Sequence, residues 1–264
     1  MKFDFTLTKM QTEFTNPIKY YLVGEGMFLY MNDLLNKKIT IEHVGYECLN
    51  CKMPKKIFRQ GACFDCFNTA PQVADWILKP ELSKAHLDIE DRDLEYEKKV
   101  QLQPHIVYLA LSSHIKVGVT RKTQVPYRWI DQGASRAVPI LETPNRYLAG
   151  LAEVSLKQHY SDKTNYKKML QPINPNQEAF ESMNKLSEVL PEELSSYIIT
   201  QNEFVDIYYP VLSYPEKPTS LKLDDFTTYS GVLKGIKGQY LLFDDQTVWN
   251  VRGSEGYKVQ ISID

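Results

Sequence analysis

The sequence predicts an α+β protein: a small sheet with helices at its centre, preceded by a four-cysteine element and flanked by β-rich N- and C-terminal parts. Three observations carry this. Apolar residues alternate at period two near both ends, the signature of half-buried strands. Two Cys-x-x-Cys pairs stand between residues 48 and 66. Between His105 and Asn165, two short apolar strands are followed by two helical patterns.

The 264 residues suffice for one large domain or two to three small ones. Hydrophobic content of 43% and charged content of 24% are those of an ordinary globular chain. A net charge of −2 excludes a globally basic nucleic-acid binder. The charge is uneven, however. Residues 105–170 hold ten Lys/Arg against four Asp/Glu, a net +6 that leaves −8 for the remainder. A basic block in an acidic chain suits an anionic ligand held at one place; chance clustering on a solvated surface is the plainer alternative. Residues 1–17 have no apolar secretory core. No apolar run reaches the ~18 residues that span a bilayer. A cytoplasmic protein without membrane partners is expected, and a reducing compartment favours metal over disulfides.

Residues 1–46 read as a β-rich segment. Phe3, Phe5 and Leu7 alternate, as does the run Ile39 to Val44, with Gly24-Glu25-Gly26 and Asn32-Asp33 as turns. Residues 47–68 hold Cys48, Cys51, Cys63 and Cys66. Each pair can fold as a knuckle that aims two thiolates at one centre, and two knuckles close a tetrahedral zinc site of the structural kind. Two disulfides or four unrelated buried thiols are the alternatives. Lys52, Lys55, Lys56 and Arg59 lie between the pairs, placed to touch phosphates or simply solvated. Residues 69–100 form a connector. A helical segment is expected over 69–86, with Val73, Ile77 and Leu78 about one turn apart, and then a solvated charge run over 88–98.

Residues 101–175 form the centre. A three-residue loop, Ser112-Ser113-His114, pairs Leu111 with Ile115, Leu109 with Val117 and Val107 with Val119, so one face is wholly apolar. A two-residue loop would mix the faces. Tyr108 and Lys116 then share the other face, beside Gly118, where a ligand could approach the backbone. Pro126 and Gly133 bound a short helix carrying Arg128. A second helix, from Thr143-Pro144 to about Tyr160, carries Glu153 among apolar residues. A carboxylate so placed needs a metal ion, an arginine or groove water; otherwise it is an ordinary exposed glutamate.

Residues 176–264 begin with a helical stretch to Leu190 and return to strands near 204–209, 229–233, 239–243, 248–251 and 257–263. That spacing suggests a small barrel or sandwich, or pairing with the N-terminal strands. Tyr208, Tyr209, Tyr229 and Tyr240 are base-stacking candidates if the barrel binds oligonucleotides, and packing residues otherwise.

Val107-Tyr108 and Lys116-Val117-Gly118, followed by Arg128, Glu153 and Asn165, resemble the core of the GIY-YIG nuclease superfamily. There, two motif strands precede an arginine helix, a glutamate helix and a late asparagine. The runs Lys116 to Arg121, Arg128 to Ala134 and Asp162 to Asn165 resemble the uncharacterised bacterial domain of unknown function 2797 family, a resemblance that takes in the four-cysteine element. The GIY-YIG resemblance implies divalent-metal-dependent phosphodiester hydrolysis on DNA or RNA. It makes Tyr108 general base or water orienter, with Lys116 lowering the pKa of the neighbouring phenol. Arg128 would stabilise phosphate charge, Glu153 would hold one Mg²⁺ or Mn²⁺, and Asn165 would support the site. The first motif lacks its glycine, and Lys116 stands where the second has tyrosine. These departures leave open a nucleic-acid-binding module without cleavage, or a scaffold that binds a protein partner.

Overall fold

A computed structural model of the chain describes residues 1–160, 165–173 and 189–264. The expected helix over 176–190 lies almost wholly outside the described residues. The chain forms two compact units, one of Met1–Thr69, Leu170–Pro172 and Ile207–Asp264, the other of Ala70–Met169 and Ile173–Asp206. The first unit opens with β1 (Lys2–Thr6), β2 (Gln11–Glu13), β3 (Lys19–Gly24), β4 (Met27–Tyr30), β5 (Lys38–Tyr46) and the helix α1 (Phe64–Thr69). The second carries α2 (Leu94–Gln101), β6 (His105–Leu111), β7 (Ile115–Arg121), α3 (Tyr127–Asp131), β8 (Arg136–Thr143), α4 (Arg146–Leu156), α5 (Tyr166–Met169) and β9 (Val205–Asp206). The first unit closes with β10 (Thr219–Ser220), β11 (Thr228–Lys237), β12 (Tyr240–Phe243), β13 (Thr247–Asn250) and β14 (Tyr257–Ile263).

Among the described residues the first unit has a sheet of order β1-β14-β5-β11-β12-β13-β10 and a smaller one of order β2-β3-β4. Strands from both β-rich ends share the larger sheet, because β14 pairs antiparallel with β1 on one side and β5 on the other. The sheet is open, so the closed barrel is not what forms. The reason lies in β11, which serves two partners. Its first half pairs with β5 and its second half with β12, with a register shift between Leu233 and Gly235; such bulges bend a strand and let it bridge two strand sets. Alternation in sequence marks a strand but not its partners. Of the tyrosines, Tyr229 donates to Asp245 Oδ1 at 3.0 Å and meets Phe243 edge-on. Tyr209 lies 5.7 Å from the Lys237 ammonium. Both are engaged in packing.

The second unit is built on an antiparallel sheet of order β7-β6-β8-β9. The β6–β7 register follows the three-residue loop: Leu111 faces Ile115, Leu109 faces Val117 and Tyr108 faces Gly118. Every residue of the central strand β6 is buried. Val107, Leu109, Val117, Val138 and Ile140 form a core with Ala149, Ala152 and Leu156 of α4. Each large aliphatic side chain buried there contributes roughly 1.5–3 kcal/mol. Asn145 caps α4, its side chain accepting from the Leu148 N–H at 3.0 Å.

Two expectations for the connector are corrected. Residues 71–87 do not form an α-helix but a string of 3₁₀ turns at Pro71–Val73, Asp75–Ile77, Pro80–Leu82 and Ala85–Leu87. Two of the turns start at a proline, whose missing N–H and ring oppose a continuous helix. The charge run is likewise more than a solvated connector. Asp93 caps α2 by accepting from Tyr96 N, and Glu97 is fully buried. Its carboxylate accepts the backbone N–H groups of Asp91, Arg92 and Asp93 at 2.8–3.1 Å.

Candidate functional site

The first candidate site is the four-cysteine cluster. Cys48 follows β5 and Cys63 precedes α1, so both pairs are anchored to regular elements. The four Sγ atoms lie within 4.8 Å of one another. All four thiols are free, and Cys51 and Cys63 are 4.0 Å apart, about twice a disulfide bond length. A metal about 2.3 Å from each sulfur is the geometry of a four-thiolate zinc site. Gly61 shapes the second knuckle at φ +73°, where a Cβ would strike Leu49 at 2.6 Å. Cys63 N–H and Asn50 Nδ2 donate to the sulfurs of Cys48 and Cys66, each at 3.3 Å. Burial pushes the Cys48 thiol up, but backbone N–H groups from Cys51, Cys63 and Asn50 outweigh it and hold it at about 6. At Cys66 the Asn50 hydrogen bond is overridden by burial and the neighbouring sulfurs, which push it up to about 11. One sulfur is thus primed as a thiolate and another resists until a cation supplies the counter-charge. The donor set fits a metal such as zinc.

The second candidate site is a cleft of about 180 Å³ in the other unit. Tyr108, Lys116, Arg128 and Glu153 all line it, together with Gln132, Arg146 and Lys157. Consecutive residues Lys116, Val117, Gly118 and Val119 face it. It therefore runs along the edge of β7 that, among the described residues, no strand covers. Pro126 sets the start of α3 and Gly133, at φ +68°, ends its last turn, which fixes Arg128 beside that edge. α4 supplies Arg146 and Glu153, seven residues and two turns apart on one face.

Tyr108 is fully buried, and its hydroxyl donates to Gln132 Oε1 at 2.9 Å. Burial raises its pKa, and the nearby Arg128 charge opposes the rise. The ring lies directly over Gly118, where a Cβ would come within 2.6 Å of the phenol oxygen. The glycine therefore makes room for Tyr108 itself, not for a ligand at the backbone. Burial lowers the Lys116 pKa to about 8, helped by Arg128. Burial raises the pKa of Glu153, partly offset by Lys157, whose Nζ is 3.5 Å from Oε2. That ion pair lacks hydrogen-bond geometry, and buried Oε2 makes no hydrogen bond. Arg146 donates to the carbonyls of Trp76 and Ile77 at 3.2 and 2.7 Å, with its guanidinium over the Trp76 indole.

Asn165 is not among the residues lining the cleft. Its Oδ1 accepts from Lys167 N and Lys168 N at 3.1 and 3.3 Å, capping α5, a role short polar side chains favour. Arg146, Gln132 and Lys157 escape the sequence reading as site residues. The seven-residue spacing of Arg146 and Glu153 is the signal that could have found Arg146. Four cations thus surround one carboxylate in a largely buried cleft, an arrangement suited to binding a multiply charged anion such as a phosphate.

Fold and sites together define a mixed α+β protein of two units, with a four-cysteine metal-site element and a cation-lined cleft. A family model described as a protein of unknown function (DUF2797) matches residues 36–259. The chain belongs to that family. No curated protein and no solved structure matches it. Among the described residues, no helix is long and apolar enough to cross a membrane.

Proposed function

We propose that the chain is a nucleic-acid-processing protein: a divalent-metal-dependent phosphodiesterase of endonuclease type with a GIY-YIG-like centre and a structural zinc site. The observation that supports this reading best is the meeting of Tyr108, Lys116, Arg128 and Glu153 at one cleft beside Arg146 and Lys157. In this reading Arg128 and Arg146 hold the phosphodiester and stabilise the charge that builds on it. Tyr108, locked by Gln132, positions the attacking water rather than deprotonating it. Lys116 is better suited to receive the proton, because a pKa of about 8 leaves roughly a tenth of it neutral at pH 7. Glu153, the carboxylate lining the cleft, would hold one Mg²⁺ or Mn²⁺ in place of its Lys157 ion pair, hard ions that keep several waters and phosphate oxygens. Such an ion would supply Lewis-acid stabilisation of the phosphate. The zinc site serves the fold, because four thiolates leave no open position.

The test is nicking of single-stranded, branched and duplex DNA and RNA with Mg²⁺ or Mn²⁺. Cleavage that disappears with chelator and in Glu153→Ala is the expected result. Binding without cleavage on every substrate would favour the binding module that has lost catalysis. Neither binding nor cleavage at low salt would leave the scaffold reading.

A further inference from the structure

The four-cysteine element has a surface that metal binding alone does not explain. Phe58 and Phe64 are 47% and 61% exposed, with ring centroids 5.3 Å apart. Phe67 braces Phe58 edge-on at 5.1 Å. Two large aromatic rings left open on so small an element mark a contact surface. Cations interleave with them. Lys52, Lys56 and Arg59 are exposed, and among the described residues their side chains make no hydrogen bond or ion pair. The Arg59 guanidinium instead lies over the Phe58 ring at 5.5 Å. Lys55 differs, being paired with Asp65 at 2.7 Å. Asp224 lies near Lys56 but accepts the hydroxyls of Tyr46 and Tyr257 at 2.6 and 2.7 Å.

We infer that this element binds single-stranded nucleic acid, with a base stacked on Phe64, Phe58 bracing that ring, and phosphates held by Lys52, Lys56 and Arg59. An open aromatic face beside exposed cations is what an unpaired strand requires: the ring takes any base, and the cations follow the backbone. A duplex hides its base faces and would use only the cations. The sulfurs hold both sides of this surface, since Cys51 and Cys63 bound residues 52–62 and Phe64 lies between Cys63 and Cys66. The inference rests on the reading above for its class of partner and on none of the cleft residues.

The test uses the full chain loaded with zinc, a fluorescein-labelled 20-mer of deoxythymidine, and anisotropy in magnesium-free buffer at 50 mM salt. Phe64→Ala is expected to weaken binding by roughly 5- to 150-fold, the loss of one stacked base. Phe64→Trp should restore it. Lys56→Glu with Arg59→Glu should weaken binding and flatten its salt dependence, and zinc removal should abolish it. Wild-type protein that binds the 20-mer through Phe64 but cleaves no substrate would sink only the nuclease reading. Wild-type protein that cleaves but shows no zinc-dependent binding of the 20-mer would overturn this inference alone. So would binding that Phe64→Ala and the charge reversals leave intact while zinc content stays normal. A dimer that Phe64→Ala dissolves would assign the patch to a second copy of the chain.

Discussion

Gly150 is the most exacting position in the second unit, and replacing it with alanine gives a prediction whose sign is diagnostic. In an exposed helix, Gly→Ala is stabilising by about 1 kcal/mol. Here a Cβ would sit 2.2 Å from Glu81 N and 2.5 Å from Pro80 C. Both are backbone atoms, so no side chain can swing aside. α4 or the Pro80–Leu82 turn must retreat by about 1 Å to reach ordinary contact. Overpacking of that kind costs about 1–3 kcal/mol, and a backbone obstacle belongs at the upper end. After the helix-propensity gain, a net loss of about 1–2 kcal/mol is expected, or roughly 2–8 °C in Tm for a unit of this size. Urea denaturation followed by tryptophan emission reads it. A Trp249→Phe background leaves Trp76 and Trp129, both in the second unit, as reporters. A variant more stable than its parent would refute the close crossing of α4 over the turn. The cleft should change too, because the same helix carries Arg146 and Glu153.

Other expectations follow from single groups. Glu153→Ala should lower metal-dependent cleavage by 100-fold or more while melting within about 2 °C of wild type; unaltered cleavage would remove Glu153 from the metal site. His105 is buried, and burial lowers its pKa to about 4. The unfolded chain therefore binds the extra proton between about pH 6.5 and 4, and stability falls as pH drops through that window. The loss from pH 7 to pH 5 should be about 2 kcal/mol, and denaturation midpoints of His105→Gln should show a flatter profile. Cys48→Ser should lose both the metal and folding of the first unit. Well under one zinc per chain in the wild type, or an intact fold in the variant, would sink the zinc assignment. Lys116→Met should remove the limb of the cleavage pH profile near 8, and an unaltered profile would deny it the proton-accepting role.

The hairpin was legible from sequence because its register is fixed by local alternation: only one loop length keeps Val107, Leu109 and Leu111 facing apolar partners. The cysteine cluster was legible because ligand spacing is itself local. Partnerships across the chain were not. Glu97 sits in a run of charges that reads as solvated, and only the turn folded back over α2 buries it. Arg146 reads as one more cation of the basic block until the Trp76 and Ile77 carbonyls are brought against it. Asn165, which the family resemblance assigned to the site, has a local capping role that its position before α5 already allows. Gly118 illustrates a subtler limit. Sequence shows that space is needed there, but not which side chain takes it.

The order of synthesis bears on the larger sheet. Among the described strands β14 is made after all the others, yet it lies between β1 and β5. At about 5–20 residues per second, the ribosome needs roughly 10–40 s to travel from β5 to β14. Through that interval β1 waits for its partner, and for most of it β5 has neither β11 nor β14 beside it. Open strand edges of this kind invite pairing with other chains. The second unit, lying mainly between these strands in sequence, can fold first. Cells making this protein therefore face a chain whose second unit can be finished while β1 still waits for β14.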